Sequence, residues 1–107
     1  MQSSNQPQPE ADKQKLSEQE LRDLLRKYPE WAIENGMLVR FWTFNDFSEA
    51  MAFVNRVAKL AEQAAHHPDI DIRYNRVKLA LVSHDAGGIT ARDAEMAAKL
   101  STAFAVA

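Results

Sequence analysis

Asn35-Gly36 stands midway along a run, residues 31–44, in which aromatic and β-branched side chains crowd together. Both residues tolerate the positive φ of a tight two-residue turn, so the run reads as a β-hairpin of two antiparallel strands. That turn fixes the register. It sets Trp31 opposite Arg40 and Ile33 opposite Leu38 on one face, with Ala32 opposite Val39 on the other.

A second pair of strand-like runs, DIDIRYN and RVKLALVSH, alternates Ile70, Ile72 and Tyr74, then Val77, Leu79 and Leu81, with polar or smaller residues. Asn75-Arg76 is its expected turn. Three helical patterns frame the two hairpins. The first opens with the capping box Ser17-x-x-Glu20 and the staple Leu16/Leu21, shows Leu21, Leu24, Leu25 and Tyr28 on one face, and stops at Pro29. The second covers about residues 46–66, with Phe47, Ala50, Met51, Val54, Val57, Ala58, Ala61 and Ala65 at helical spacing, and Pro68 ends it around His66 and His67. The third opens with Thr90-x-x-Asp93 and turns Met96, Ala97, Leu100 and Phe104 inward. The order helix, strand, strand, helix, strand, strand, helix predicts an α+β fold: one four-stranded antiparallel sheet with three helices packed on one face.

At 107 residues the chain suits one domain. Its opening, rich in Gln, Pro and Ser, cannot bury apolar surface, so residues 1–15 read as a solvated, disordered tail and 16–107 as the domain. The net charge of −2, from 13 basic and 15 acidic residues interleaved along the chain, supplies no cationic stripe and argues against direct nucleic-acid binding. No segment approaches a membrane span or a secretory leader, and cysteine is absent, which removes disulfides and thiol chemistry. A cytoplasmic protein is expected.

The chemistry concentrates in the histidines, all three of which fall between positions 66 and 84. A turn centred on Asn75-Arg76 would set His67 opposite His84 at the open end of the second hairpin, so that three imidazoles converge. Glu62, four residues before His66 on the same helix, is expected to reach that ring and fix its tautomer, while the helix C-terminus favours a cationic ring. His66 is thus the expected proton donor. His67 has Gln63 at the corresponding position, and so is expected to bind rather than to transfer protons. Three imidazoles and a carboxylate could also ligate zinc, but adjacent histidines lack the spacing of ligands on one helix face, and acid–base chemistry is preferred to a metal site. Asp93 reads first as a capping residue and Trp31 as hairpin packing. Asp85, Gly87 and Gly88 read as a turn between strand and helix.

The set Glu62-x3-His66-His67-Pro68, followed by Tyr74, His84 and Asp93, resembles the signature of the pterin-4a-carbinolamine dehydratases. The likeness extends back through Phe44-x-Asp46-Phe47 to Trp31, and departs at Ala64 and Ala65, where several relatives carry an acidic residue. The resemblance implies an enzyme that removes water from 4a-hydroxytetrahydropterin to give quinonoid dihydropterin, with no metal and no cofactor. It implies that His66 and His84 form the acid–base pair, with His67 as the third catalytic-site histidine. His67 and Glu62 would hold and polarise the pterin, with Trp31 and Asp93 at the pocket rim. Ser83 and Asp85, on either side of His84, complete the expected substrate-binding set with Glu62, Trp31 and Asp93. It further implies a homodimer or homotetramer and a functional link to an aromatic amino-acid hydroxylase. A different class of function, a non-catalytic dimerisation cofactor or coactivator-like module, is the alternative.

Overall fold

The computed structural model describes residues 14–105. Its elements run α1 (Glu18–Lys27), β1 (Ala32–Glu34), β2 (Met37–Thr43), α2 (Phe47–Ala64), β3 (Asp69–Arg73), β4 (Arg76–Leu81) and α3 (Ala91–Ala103). This is the α+β order expected, with four antiparallel strands arranged β1-β2-β4-β3. Apart from Gln14 and Lys15, the expected tail lies outside the described residues. Lys15 pairs with Thr90 in an isolated bridge, and Leu16 N–H donates to Ile89 O at 2.9 Å, so the chain entering α1 is tied to the segment entering α3.

Both predicted capping boxes form. In α1, Ser17 Oγ accepts from Glu20 N–H at 3.1 Å while Glu20 Oε1 accepts from Ser17 N–H at 2.8 Å. Each such cap is worth about 1 kcal/mol. Leu21, Leu24, Leu25 and Tyr28 then lie half-buried against the core.

The first hairpin has the expected register, Ala32 with Val39 and Ile33 with Leu38, and both turn residues take positive φ, 52° at Asn35 and 76° at Gly36. The second differs. Its turn is Tyr74-Asn75, not Asn75-Arg76, so Ile72 pairs with Val77 and Ile70 with Leu79. The cause is a tertiary tie: Asn75 Nδ2 donates to Phe44 O and Phe44 N–H donates to Asn75 O, both at 2.8 Å. Asn75 is therefore held at the end of β2, and Tyr74 takes the left-handed conformation at φ 54°. Each partner shifts by two positions, which leaves every side chain on its expected face.

That face carries Leu38, Trp42, Val77, Leu79 and Leu81, all buried beneath α2 and α3. Trp42 anchors a run of ring contacts, edge-on to Trp31 at 6.0 Å and tilted on Phe53 at 4.8 Å, while Phe53 meets Phe44 at 5.0 Å and Phe104 at 4.8 Å. Arg40 shares the face and stacks its guanidinium 4.2 Å over Trp42. Burial holds its pKa below the ordinary guanidinium range, opposed by the charge of Glu30. The face away from the helices exposes Phe41, flanked by Arg76 and Lys78. None of the helices formed by the described residues is long and apolar enough to cross a membrane.

The buried stripe of α2 also differs from expectation. It is Ala50, Phe53, Val54, Val57 and Ala61, which recur at three and four residues on one helix face. Phe53 joins it, whereas Phe47, Ala58 and Ala65 lie on the exposed flank. Phe53→Ala is therefore expected to cost about 3–5 kcal/mol of stability in urea unfolding. Phe47→Ala should cost less than half as much, and equal losses would restore the original face.

Candidate functional site

The site is built where α2 ends. The N–H of Ala65 donates to Glu62 O at 3.3 Å and that of His66 to Ala61 O at 3.2 Å, the paired bonds of a Schellman motif. Ala65 occupies the left-handed position at φ 54°, ψ 36°. Glycine usually fills this position, and a Cβ there costs about 1–2 kcal/mol. The reversal throws His66 and His67 off the helix axis in different directions.

The expected Glu62–His66 contact is consequently absent. Helical spacing stops at Ala64, and Glu62 instead pairs through Oε2 with Nε2 of His67, both side chains being exposed. The reason for separating His67 from His66, that it has no carboxylate, falls with it. His66 turns inward, 13% exposed, and its Nε2 lies 2.6 Å from Oδ1 of Asp93, which is fully buried.

Asp93 does more than cap α3. Its Oδ2 accepts from Thr90 N–H at 2.8 Å, which completes the capping box, and from Ser83 Oγ at 2.8 Å. Ser83 Oγ also lies 2.7 Å from Thr90 Oγ1. A buried carboxylate needs such donors, since an isolated one costs far more than the fold can supply.

Ser83 opens a tight turn closed by bonds between Ser83 N–H and Gly88 O at 2.9 Å and between Gly87 N–H and Ser83 O at 3.0 Å, with Gly87 at φ 72°. Asp85 pairs with Arg92 at 2.6 Å, a second tie between this turn and the first turn of α3. His84 sits exposed between the two ties. The strand pairing of β3 and β4 ends at Asp69 with Ala80, so His84 does not face His67 across the hairpin. The shared carboxylate of Asp93, not strand register, brings the His84 segment to His66.

Other signature positions stand apart. Tyr74 lies at the β3–β4 turn, the opposite end of the hairpin from the histidines, and is exposed. Trp31 is 3% exposed and donates through Nε1 to Ser101 Oγ at 2.9 Å; its contacts are with the core and α3. The reading of the sequence missed Thr90 as a hydroxyl partner of Ser83, and missed Arg92. Thr90-x-x-Asp93 signals a cap, and nothing in its spacing reveals that the same carboxylate faces a histidine 27 positions away.

A crevice of about 60 Å³ opens beside His66, lined by Ala64, Arg92, Glu95, Met96 and Lys99. A larger cavity of about 510 Å³, lined by Asn55, Arg56, Lys59, Leu60, Gln63, Ala103 and Phe104, contains none of the histidines. Among the described residues no three His, Asp or Glu side chains are grouped to hold a metal ion. The arrangement is one inward imidazole oriented by a buried carboxylate, with His67 and His84 exposed on the adjoining segments, and such groups are suited to moving protons.

Comparison with known proteins identifies the family. The family model described as "Pterin 4 alpha carbinolamine dehydratase" matches residues 14–103. A Thermomicrobium roseum protein named "Putative pterin-4-alpha-carbinolamine dehydratase" is 55% identical over 87 residues, 81% of this chain and 94% of the relative. One of the same name from Chloroflexus aurantiacus is 54% identical over 86 residues, 80% of this chain and 92% of the relative. The crystal structure of a transcriptional coactivator/pterin dehydratase from Brucella melitensis superposes with a TM-score of 0.77 at 34% identity, covering 83% of this chain and 97% of that one. A pterin dehydratase-like RuBisCO assembly factor of the alpha-carboxysome shares the fold, with a TM-score of 0.54 at 22% identity over 67% of this chain and 83% of that one. With a match that spans both hairpins, the three helices of the described residues and every histidine, this chain belongs to the pterin 4 alpha carbinolamine dehydratase family.

Proposed function

We propose that the protein removes water from 4a-hydroxytetrahydropterin to give quinonoid dihydropterin, by histidine acid–base catalysis, as a step in tetrahydropterin recycling. The observation that carries the reading is the 2.6 Å contact between His66 and the buried Asp93, at two positions of the family signature. Dehydration breaks the bond between the 4a carbon and its hydroxyl, takes a proton from the ring nitrogen next to it, and forms a double bond between the two atoms. One group must protonate the departing oxygen and one must accept the ring proton. Two imidazoles suffice, and such assistance is typically worth about 10²–10⁴-fold.

His66 and His84 are read as the proton-transfer pair. His66 is favoured by its fixed orientation, and His84 by its exposure on a turn tied to Asp93. His67, paired with Glu62 at the surface, is read as holding and polarising the pterin. Asp85 is read as shaping the rim together with Arg92. Trp31, Ser83 and Asp93 are buried, which supports roles behind the reacting groups rather than against the substrate.

Assembly is part of this reading. Among the described residues the sheet has two open edges, β1 and β3, and Phe41, Ile33, Ile70 and Phe47 are exposed. A homodimer or homotetramer would cover such surface. The second reading, a partner-binding module of the coactivator kind, is favoured by one observation, the exposed Phe47 side chain at the start of α2.

Two measurements test these statements. Purified protein should accelerate the decay of enzymatically generated 4a-hydroxytetrahydropterin, followed by ultraviolet absorbance, and no acceleration over buffer would sink the enzymatic reading. In that assay His66→Ala and His84→Ala should lower kcat by about 10²-fold with KM little changed, whereas His67→Ala should mainly raise KM. Light scattering should give a multiple of the 12.1 kDa chain mass at micromolar concentration, and a monomer would refute assembly. If Phe47→Asp dissociates the assembly, the α2 flank belongs to self-association and the second reading loses its support.

A further inference from the structure

We infer that Ser83 and Thr90 are positioning residues for His66, a claim that rests on the proton-transfer role given to that histidine above. Both are buried, Ser83 at 2% exposure and Thr90 at 0%. Their proton inventory has one consistent solution. Ser83 Oγ–H donates to Asp93 Oδ2 at 2.8 Å, and a hydroxyl has a single proton. The 2.7 Å contact between Ser83 Oγ and Thr90 Oγ1 must then use the proton of Thr90. Thr90 Oγ1 in turn accepts from the backbone N–H of Arg92 at 3.3 Å. Every bond in the chain points toward Asp93.

Asp93 Oδ2 therefore holds two donors, Ser83 Oγ–H and Thr90 N–H, and the carboxylate plane is fixed. Oδ1 is left facing His66 as an acceptor. With Asp93 ionised the ring donates through Nε2, which leaves Nδ1 as the nitrogen that exchanges a proton with a ligand or water. Neither hydroxyl keeps a donor for a pterin, so Ser83, expected from the resemblance to bind substrate, acts through Asp93 instead.

The test is nitrogen-15 NMR of the His66 ring in the intact protein, joined to kcat and KM for Ser83→Ala, Thr90→Val and the conservative Ser83→Thr and Thr90→Ser. Wild type should show the Nε2–H tautomer. Ser83→Ala should show mixed tautomers and a kcat lowered about tenfold with KM within about twofold, and Ser83→Thr should restore both. Thr90→Val should follow Ser83→Ala, and Thr90→Ser should follow wild type. Should Ser83→Ala fail to fold, Ser83→Cys, a weak donor of similar volume, carries the same comparison. A Ser83→Ala protein with the wild-type tautomer and kcat would overturn the inference, as would a rise in KM at constant kcat, which assigns Ser83 a direct contact with substrate. A His66→Ala protein that retained kcat would overturn the role of His66 itself, and the tautomer would still decide whether Ser83 positions the ring.

Discussion

The carboxylate of Asp93 ties the structure together. It is fully buried, and it joins three segments: the N-terminus of α3 through Thr90, the turn after β4 through Ser83, and, 27 positions away, the end of α2 through His66. A buried charge of this kind costs several kcal/mol unless donors surround it. Here two donors occupy Oδ2, one ring nitrogen meets Oδ1, and the first turn of α3 adds the positive end of its dipole. The cap that starts the last helix is thereby the same group that aims an imidazole.

The second constraint is the left-handed Ala65. A helix that continued would have stacked Glu62 beneath His66 and left Asp93 without its third partner. The Schellman closure spends local strain to part the two histidines, one inward to Asp93 and one outward to Glu62. Strain of this sort persists only where the surroundings over-determine it, and here core packing by Ala61 on one side and the buried Pro68 on the other fix the crossing.

Much of the fold was legible in the sequence because its signals are local. Asn35-Gly36 specifies a turn, the two capping boxes specify helix starts, and period-two alternation assigns strand faces even where the register is displaced. What was not legible is tertiary. Asn75 sits in its turn because it bonds to Phe44 across the sheet, and no spacing in the second hairpin records that tie. The α2 stripe was drawn without Phe53: Ala50, Val54, Val57 and Ala61 are buried as expected, but Phe47 and Ala58 follow helical spacing as faithfully as Phe53 does, and only packing distinguishes them. The pairing of the candidate site residues was not legible: alanine carries no signal for a left-handed residue, so Glu62 was assigned to the wrong histidine.

The central claim is that Asp93 orients His66 for proton transfer, and Asp93→Asn tests it most directly. The carboxamide oxygen can still accept from Thr90 N–H and keep the helix cap, while its amide group faces Nε2 and drives the ring proton to Nδ1. In a comparable carboxylate–histidine pair of a serine protease, that exchange lowers kcat by about 10⁴-fold without disturbing geometry. The account predicts a protein that folds as wild type by circular dichroism and loses about 10²-fold or more of its kcat for dehydration of 4a-hydroxytetrahydropterin. A folded Asp93→Asn protein whose kcat stays within about twofold of wild type would contradict it.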